Sequence, residues 1–254
     1  MSIAFDHVSF GYSSDRLVLQ DLNCSIADGE FVLIVGQNGA GKSTLLKLLN
    51  GILKPGRGTV TINSLDTKRA PTAELAAHVA VTFQNPADQI FATSVRDEIR
   101  FGPKTLRRTN AEQLTDECIE MFNLGSHADK HPYDLPPALR RLLTIASAVA
   151  TAAPILAFDE PSASLSQTER SILLHALEEL RRQKRTILVV SHDIDLFLPK
   201  MTGLVALNEG RMMYNGDPNE VIRNAQLARS CGLILPLALR LEKFVARQKG
   251  STSQ

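Results

Sequence analysis

The chain has 254 residues, enough for one large domain or a domain with an extension. Its 28 lysines and arginines against 27 aspartates and glutamates leave a formal net charge of +1, which excludes a basic nucleic-acid footprint. Three cysteines, Cys24, Cys118 and Cys231, lack the spacing of a metal site or disulfide framework and read as reduced thiols.

Residues 1–7 carry neither a basic nor an apolar region, so no secretory signal is expected. Two antiparallel strands are predicted around Ile3–Phe10 and Val18–Ile26, with turn chemistry at Ser13-Ser14-Asp15 and Asp28-Gly29. Phe31-Val32-Leu33-Ile34-Val35 is an apolar run of strand length. It leads into Gly36-Gln37-Asn38-Gly39-Ala40-Gly41-Lys42-Ser43, and a helix is predicted to start at Thr44-Leu45-Leu46. Strand, glycine-rich turn, lysine, hydroxyl and helix in that order form a phosphate-binding P-loop. The glycines let successive N–H groups curl around a β-phosphate. The helix N-terminus and Lys42 add positive charge, and Ser43 offers a hydroxyl to Mg²⁺. Gly36, Asn38, Gly39, Ala40, Gly41, Lys42, Ser43 and Thr44 are therefore the candidate contacts to a nucleoside triphosphate.

Further strands are expected at Thr59–Asn63, after the turn Pro55-Gly56-Arg57-Gly58, and at His78–Phe83, ending at Gln84-Asn85-Pro86. Helical patterning follows: Ser94 caps a helix through Phe101, Asn110 one through Leu124, and a third begins near Pro136. The run from Leu142 to Phe158 carries no charge, but Pro154 interrupts it. It reads as a buried helix followed by a buried strand, Ile155–Phe158, rather than a membrane span. A helix from Gln167 ends in Arg181-Arg182-Gln183-Lys184-Arg185, the solvated end of an amphipathic pattern. Then come strand Thr186–Val190, a short helix from Asp193, a hairpin around Asn208-Glu209-Gly210 and a helical tail from Asp217. Strands alternating with helices predict a mostly parallel sheet covered on both faces, with a helical insertion.

Two apolar strands deliver polar groups to the sheet edge where ligands of parallel sheets lie. Ile155–Phe158 ends in Asp159 and Glu160. Asp159 is placed to hold Mg²⁺ and Glu160 to polarise an attacking water. Thr186–Val190 delivers His192, which could meet a γ-phosphate or orient water. Gln84, also at a strand end, could ligate Mg²⁺ or a water; alone it would read as a polar residue opening a loop.

Together these residues resemble the ATP-binding-cassette (ABC) ATPases over nearly the whole chain. The resemblance implies an α/β P-loop NTPase fold with an N-terminal antiparallel β-subdomain and an inserted helical subdomain at about residues 86–153. It divides the chain into an ATPase domain, 1–224, and a helical extension, 225–254. Gln84 matches the family's Q-loop, Asp159 and Glu160 its magnesium and general-base pair, and His192 its switch histidine. Tyr12 matches the aromatic residue that stacks on adenine. ATP and Mg²⁺ are the implied cofactors.

Residues 84–91 (Gln-Asn-Pro-Ala-Asp-Gln-Ile-Phe), Thr93–Ile99, Phe101-Gly102-Pro103 and Gly232-Leu233-Ile234-Leu235-Pro236 look like the ATPase subunits of energy-coupling factor (ECF) transporters. Such subunits power prokaryotic uptake of vitamins or of cobalt and nickel ions. The implied partners are a second ABC ATPase subunit, a transmembrane coupling protein gripped by the segment after Gln84, and a substrate-binding membrane protein. Nucleic acid is not among them. The implied location is the cytoplasmic face of the cell membrane, held peripherally.

One motif departs from the pattern. Where the family reads Leu-Ser-Gly-Gly-Gln, this chain has Leu135-Pro136-Pro137-Ala138-Leu139. In the family that motif contacts the γ-phosphate held by the partner's P-loop. Pro136 and Pro137 have neither hydroxyl nor N–H, while proline at a helix start is comfortable. Serine also stands at Ser166 where aspartate is usual. These departures predict an asymmetric heterodimer; the rival is a homodimer whose altered motif still works, through Arg140 and the helix N-terminus. Two other functional classes stay open: the ATPase of a conventional importer or exporter, and a soluble non-transport ABC protein.

Overall fold

The computed structural model describes residues 2–13 and 15–231. Ser14 of the expected first turn, the Gly232–Pro236 motif and most of the expected extension lie outside those residues.

The N-terminal half begins with β1 (Ile3–Phe10), β2 (Leu19–Ile26), β3 (Phe31–Gly36) and α1 (Lys42–Leu49). It continues through β4 (Arg57–Ile62), β5 (Leu65–Asp66), α2 (Thr72–Leu75) and β6 (Val79–Thr82). A helical stretch follows, with α3 (Val95–Thr105), α4 (Ala111–Met121) and α5 (Pro137–Ala150). Alternation then resumes with β7 (Ile155–Asp159), α6 (Gln167–Arg182), β8 (Thr186–Val190) and α7 (Ile194–Phe197). Hairpin β9 (Gly203–Asn208) and β10 (Arg211–Gly216) precedes α8 (Pro218–Arg223) and α9 (Ala225–Ser230).

Two sheets result. An antiparallel sheet has the order β2-β1-β4-β5, and a six-stranded sheet the order β10-β9-β3-β8-β7-β6. In the larger sheet β3, β8, β7, β6 and β9 pair in parallel, and only β10 is antiparallel to its neighbour. Every residue of β3, β7 and β8 is buried, which explains why their sequences are continuous apolar runs rather than alternating ones. The alternation survives in which core each side chain enters. Phe31, Leu33 and Val35 join the cluster under α5 and α6, while Val32 and Ile34 join the one beneath the antiparallel sheet and α1. Each such fully buried side chain contributes about 1.5–3 kcal/mol from lost apolar surface.

Some boundaries differ from those predicted. Helix α3 runs past Phe101 to Thr105 with Pro103 inside it. Val95, Glu98, Ile99 and Pro103 form its buried stripe, and packing against α5 carries the helix past the proline. At the start of α4, Asn110 occupies the cap position without a side-chain hydrogen bond, and the helix stops at Met121, short of Leu124. Helix α1 begins at Lys42, two residues earlier than Thr44. Ser94 does cap α3, accepting from the Asp97 amide, and Ser166 with Glu169 forms a capping box on α6. Short β5 and α2 had no periodicity to announce them.

Candidate active site

The P-loop wraps from the end of β3 into α1. Gly36 has φ +152°, and a Cβ there would sit 2.2 Å from the carbonyl oxygen of Leu207 on neighbouring β9. Gly41 has φ +96° and would drive a Cβ to 2.4 Å from Leu19. Both positions need glycine for backbone conformation and for close approach. The turn closes through the Ala40 amide, which donates to the Gln37 carbonyl at 3.1 Å. Lys42, only 8 % exposed, donates to the carbonyls of Gly36 at 2.7 Å and Gln37 at 3.0 Å. Its ammonium is thereby held against the carbonyls of the loop. Burial lowers its pKa, and the charges of Glu160 and Asp159 oppose that shift.

Asp159 ends β7 and is 3 % exposed. Burial raises its pKa; a hydrogen bond from Ser43 and the charges of Lys42, Arg141 and Lys47 pull the other way. Glu160 follows at φ +50°, a left-handed conformation that is costly for a non-glycine residue and is found mostly at functional sites. The amide of Glu160 donates to the Val190 carbonyl at 2.8 Å, which locks it against the end of β8. Its Oε2 accepts from the Ser191 hydroxyl at 3.3 Å and the His192 amide at 3.4 Å. His192 Nε2 lies 3.5 Å from Oε1, which has no hydrogen-bond partner among the described residues. Burial raises the Glu160 pKa, with His192 the largest opposing influence. A half-buried carboxylate with one oxygen uncommitted is the form a general base takes.

Val18, Asn38, Gly39, Gly41, Lys42, Ser43, Thr44, Gln84, Asp159, Glu160, Ala163 and His192 line one cleft of about 700 Å³. All the polar residues singled out from β6, β7 and β8 therefore meet the P-loop in one place. An adjoining cleft of about 840 Å³ is lined by Tyr12, Arg16, Gln37, Asn38, Gly39, Ala40 and Glu209, among others. Tyr12 is 63 % exposed there, set edge-on to Phe10 at 5.1 Å, with its hydroxyl 3.2 Å from that of Thr44. The ring thus stands beside the P-loop with room for a base against it. Gly36 is at the strand end under the loop, where its role is close packing.

Ser43, Gln84 and Asp159 bring oxygen donors to the same cleft. One carboxylate with neutral oxygens suits Mg²⁺, which takes its other ligands from phosphate and water. No cluster of three or more His, Cys, Asp or Glu able to hold a metal occurs among the described residues.

The altered turn lies where the sequence placed it. Pro136 takes the N-cap of α5 with no side-chain cap bond, Pro137 is the first helical residue, and Leu135 is buried. Arg141, four residues into that helix, was not singled out from sequence. It is buried and donates to the carbonyls of Phe83 and Gln84. The second arginine of Arg140-Arg141, set directly against the apolar run Leu142-Leu143, was the available signal.

The ABC transporter family model matches residues 19–163. The chain belongs to the ABC transporter ATP-binding family and is an ATPase. It is 32 % identical over 233 residues to the energy-coupling factor transporter ATP-binding protein EcfA of Methanothermobacter thermautotrophicus, covering 90 % of this chain and 75 % of that one. With EcfA2 of Caldanaerobacter subterraneus subsp. tengcongensis it shares 33 % identity, covering 98 % and 90 % of the two chains. Among solved structures, cbiO1 from Clostridium perfringens, part of the ABC transporter complex cbiONQ, matches with a TM-score of 0.78 and 28 % identity, covering 95 % and 98 %.

Proposed function

We propose that this chain is the ATP-hydrolysing subunit of an energy-coupling factor type uptake transporter, held at the cytoplasmic face of the membrane by partner proteins. The observation that carries this is the single cleft joining the P-loop to Gln84, Asp159, Glu160 and His192. It is supported by the energy-coupling factor relatives that span most of the chain. In this reading Tyr12 stacks on adenine, and the P-loop amides with Lys42 hold the phosphates. Ser43, Asp159 and Gln84 hold Mg²⁺, Glu160 accepts a proton from the attacking water, and His192 meets the γ-phosphate. Mg²⁺, when bound by those residues, would supply the positive charge that offsets the negative charge of the phosphates.

The partner that receives the energy has a surface to grip. Val79, Gln89, Phe91, Phe101 and Gly102 help to line a mostly apolar groove of about 310 Å³ beside the Gln84 loop. Phe91 and Phe101 are exposed and meet edge to face at 4.5 Å. An exposed aromatic pair at the lip of such a groove suits an apolar helix from a coupling protein. No helix among the described residues is long and apolar enough to cross a membrane, so the transport path in this reading belongs to those partners. The altered turn Pro136-Pro137-Ala138-Leu139 favours a heterodimer in which this P-loop faces an intact motif from a different ATPase.

Affinity purification from detergent-solubilised membranes of the native host tests this. The expected result is co-purification of a second ABC ATPase and of integral membrane proteins. Phe101→Glu is expected to lower recovery of the membrane proteins at least about tenfold while Mg-ATP binding is unchanged. Recovery of ribosomes or no membrane protein at all would overturn the assignment. Brisk hydrolysis by the purified chain without a partner would remove the need for asymmetry.

A further inference from the structure

We propose that Arg141 is a positioning residue that ties the Gln84 loop to the first turns of α5, so that this loop and the altered turn move as one body. The proposal rests on the nucleotide-site reading above and adds to it a mechanical link that the phosphate-binding motifs do not contain.

The guanidinium of Arg141 grips two successive carbonyls. Nη1 donates to Phe83 O at 3.1 Å and Nη2 donates to Gln84 O. A planar fork on consecutive carbonyls fixes the direction of that stretch of backbone, and with it the side chain of Gln84 in the cleft. Burying a cation is unfavourable unless donors find acceptors; here Nη1 and Nη2 do, while Nε has no hydrogen-bond partner among the described residues. Leu142, Leu143 and Ile145 follow it in sequence, all fully buried. A leucine at position 141 would pack there at no such cost, so the residue type is explained by the two carbonyls. Burial lowers the Arg141 pKa, and the charges of Asp159 and Glu160 oppose that shift.

Further contacts make the loop a single body. Gln89 closes it, accepting from the Phe83 amide at 2.8 Å and donating to the Val81 carbonyl at 3.1 Å. Tyr133, just ahead of the altered turn, reaches the carbonyls of Ala87 at 3.5 Å and Ile90 at 3.4 Å. Arg140 lies over the Tyr133 ring at 5.9 Å, which binds that contact to the same helix start. From the other side, Lys47 of α1 sits 5.8 Å from the Phe83 ring centroid. Displacing the start of α5 therefore displaces Gln84, and the loop in turn leads to Gln89 and Phe91 in the docking groove.

The test compares the full-length chain with Arg141→Gln, Arg141→Lys, Gln84→Ala and the double variant Arg141→Gln/Gln84→Ala. Amide hydrogen exchange over residues 83–90 and the ratio of ATP affinity with and without Mg²⁺ are measured for each. Exchange over 83–90 should accelerate about tenfold or more in Arg141→Gln, with Arg141→Lys intermediate. The Mg²⁺-dependent gain in affinity should fall as far in Arg141→Gln as in Gln84→Ala, and no further in the double variant. Unchanged exchange across 83–90, or losses that multiply in the double variant, would overturn the proposal. If Arg141→Gln does not fold, Arg141→Lys decides: wild-type exchange and wild-type Mg²⁺ dependence would overturn it. Failure of the wild-type chain to bind Mg-ATP would strike the nucleotide-site reading instead, and the exchange measurement would still judge the grip.

Discussion

Glu160→Gln in the assembled transporter should lower ATP turnover at this chain's P-loop by about 10²–10⁴-fold while leaving Mg-ATP binding intact. The substitution keeps the shape of the side chain and can keep the Ser191 hydroxyl and the His192 amide as donors to one oxygen. What it removes is the basic oxygen, Oε1, which has no hydrogen-bond partner among the described residues and lies 3.5 Å from His192 Nε2. Burial holds the carboxyl above its ordinary pKa, so the ionised form is the stronger proton acceptor once formed. Single-turnover phosphate release with the pure complex measures the effect. A loss smaller than about tenfold would mean that the proton goes elsewhere.

The second large effect concerns the altered turn at the start of α5. If this chain pairs with a different ATPase as proposed, rebuilding Pro136-Pro137-Ala138-Leu139 as Ser-Gly-Gly-Gln should restore phosphate contacts to the partner's site. Each charge-assisted hydrogen bond regained is worth about 1.5–3 kcal/mol, or roughly ten- to a hundredfold in affinity or rate. Pro136 presently caps α5 without a side-chain bond, so serine there would also supply the missing helix cap. The readout is turnover at the second site with Glu160→Gln silencing the first. No gain on rebuilding would show that Arg140 and the helix start already serve that site, or that the partner's P-loop does not turn over.

How much of this was legible in the sequence follows physical lines. Strands β3, β7 and β8 are buried on both faces, so they announce themselves as unbroken apolar runs, and the polar residues just beyond them inherit a known edge of the sheet. That is why the sequence alone brings Lys42, Asp159, Glu160 and His192 to one edge. Gln84 and Tyr12 carry no local signal of that kind and needed the order of the other motifs. The reach of α3 past Gly102-Pro103 was hidden because packing of its buried stripe outweighs the local breaker. Arg141 was hidden for a different reason. Its partners are backbone carbonyls 57 and 58 residues away, and main-chain acceptors leave no mark in the side-chain pattern.

The account rests on a triphosphate held by the P-loop, and equilibrium titration of the purified full-length chain with Mg-ATP tests that most directly. Saturable one-to-one binding is expected, abolished by Lys42→Ala, which removes the ammonium now held by the Gly36 and Gln37 carbonyls. Binding that survives Lys42→Ala unchanged, or no binding by the wild-type chain alone or with its partners, would contradict it.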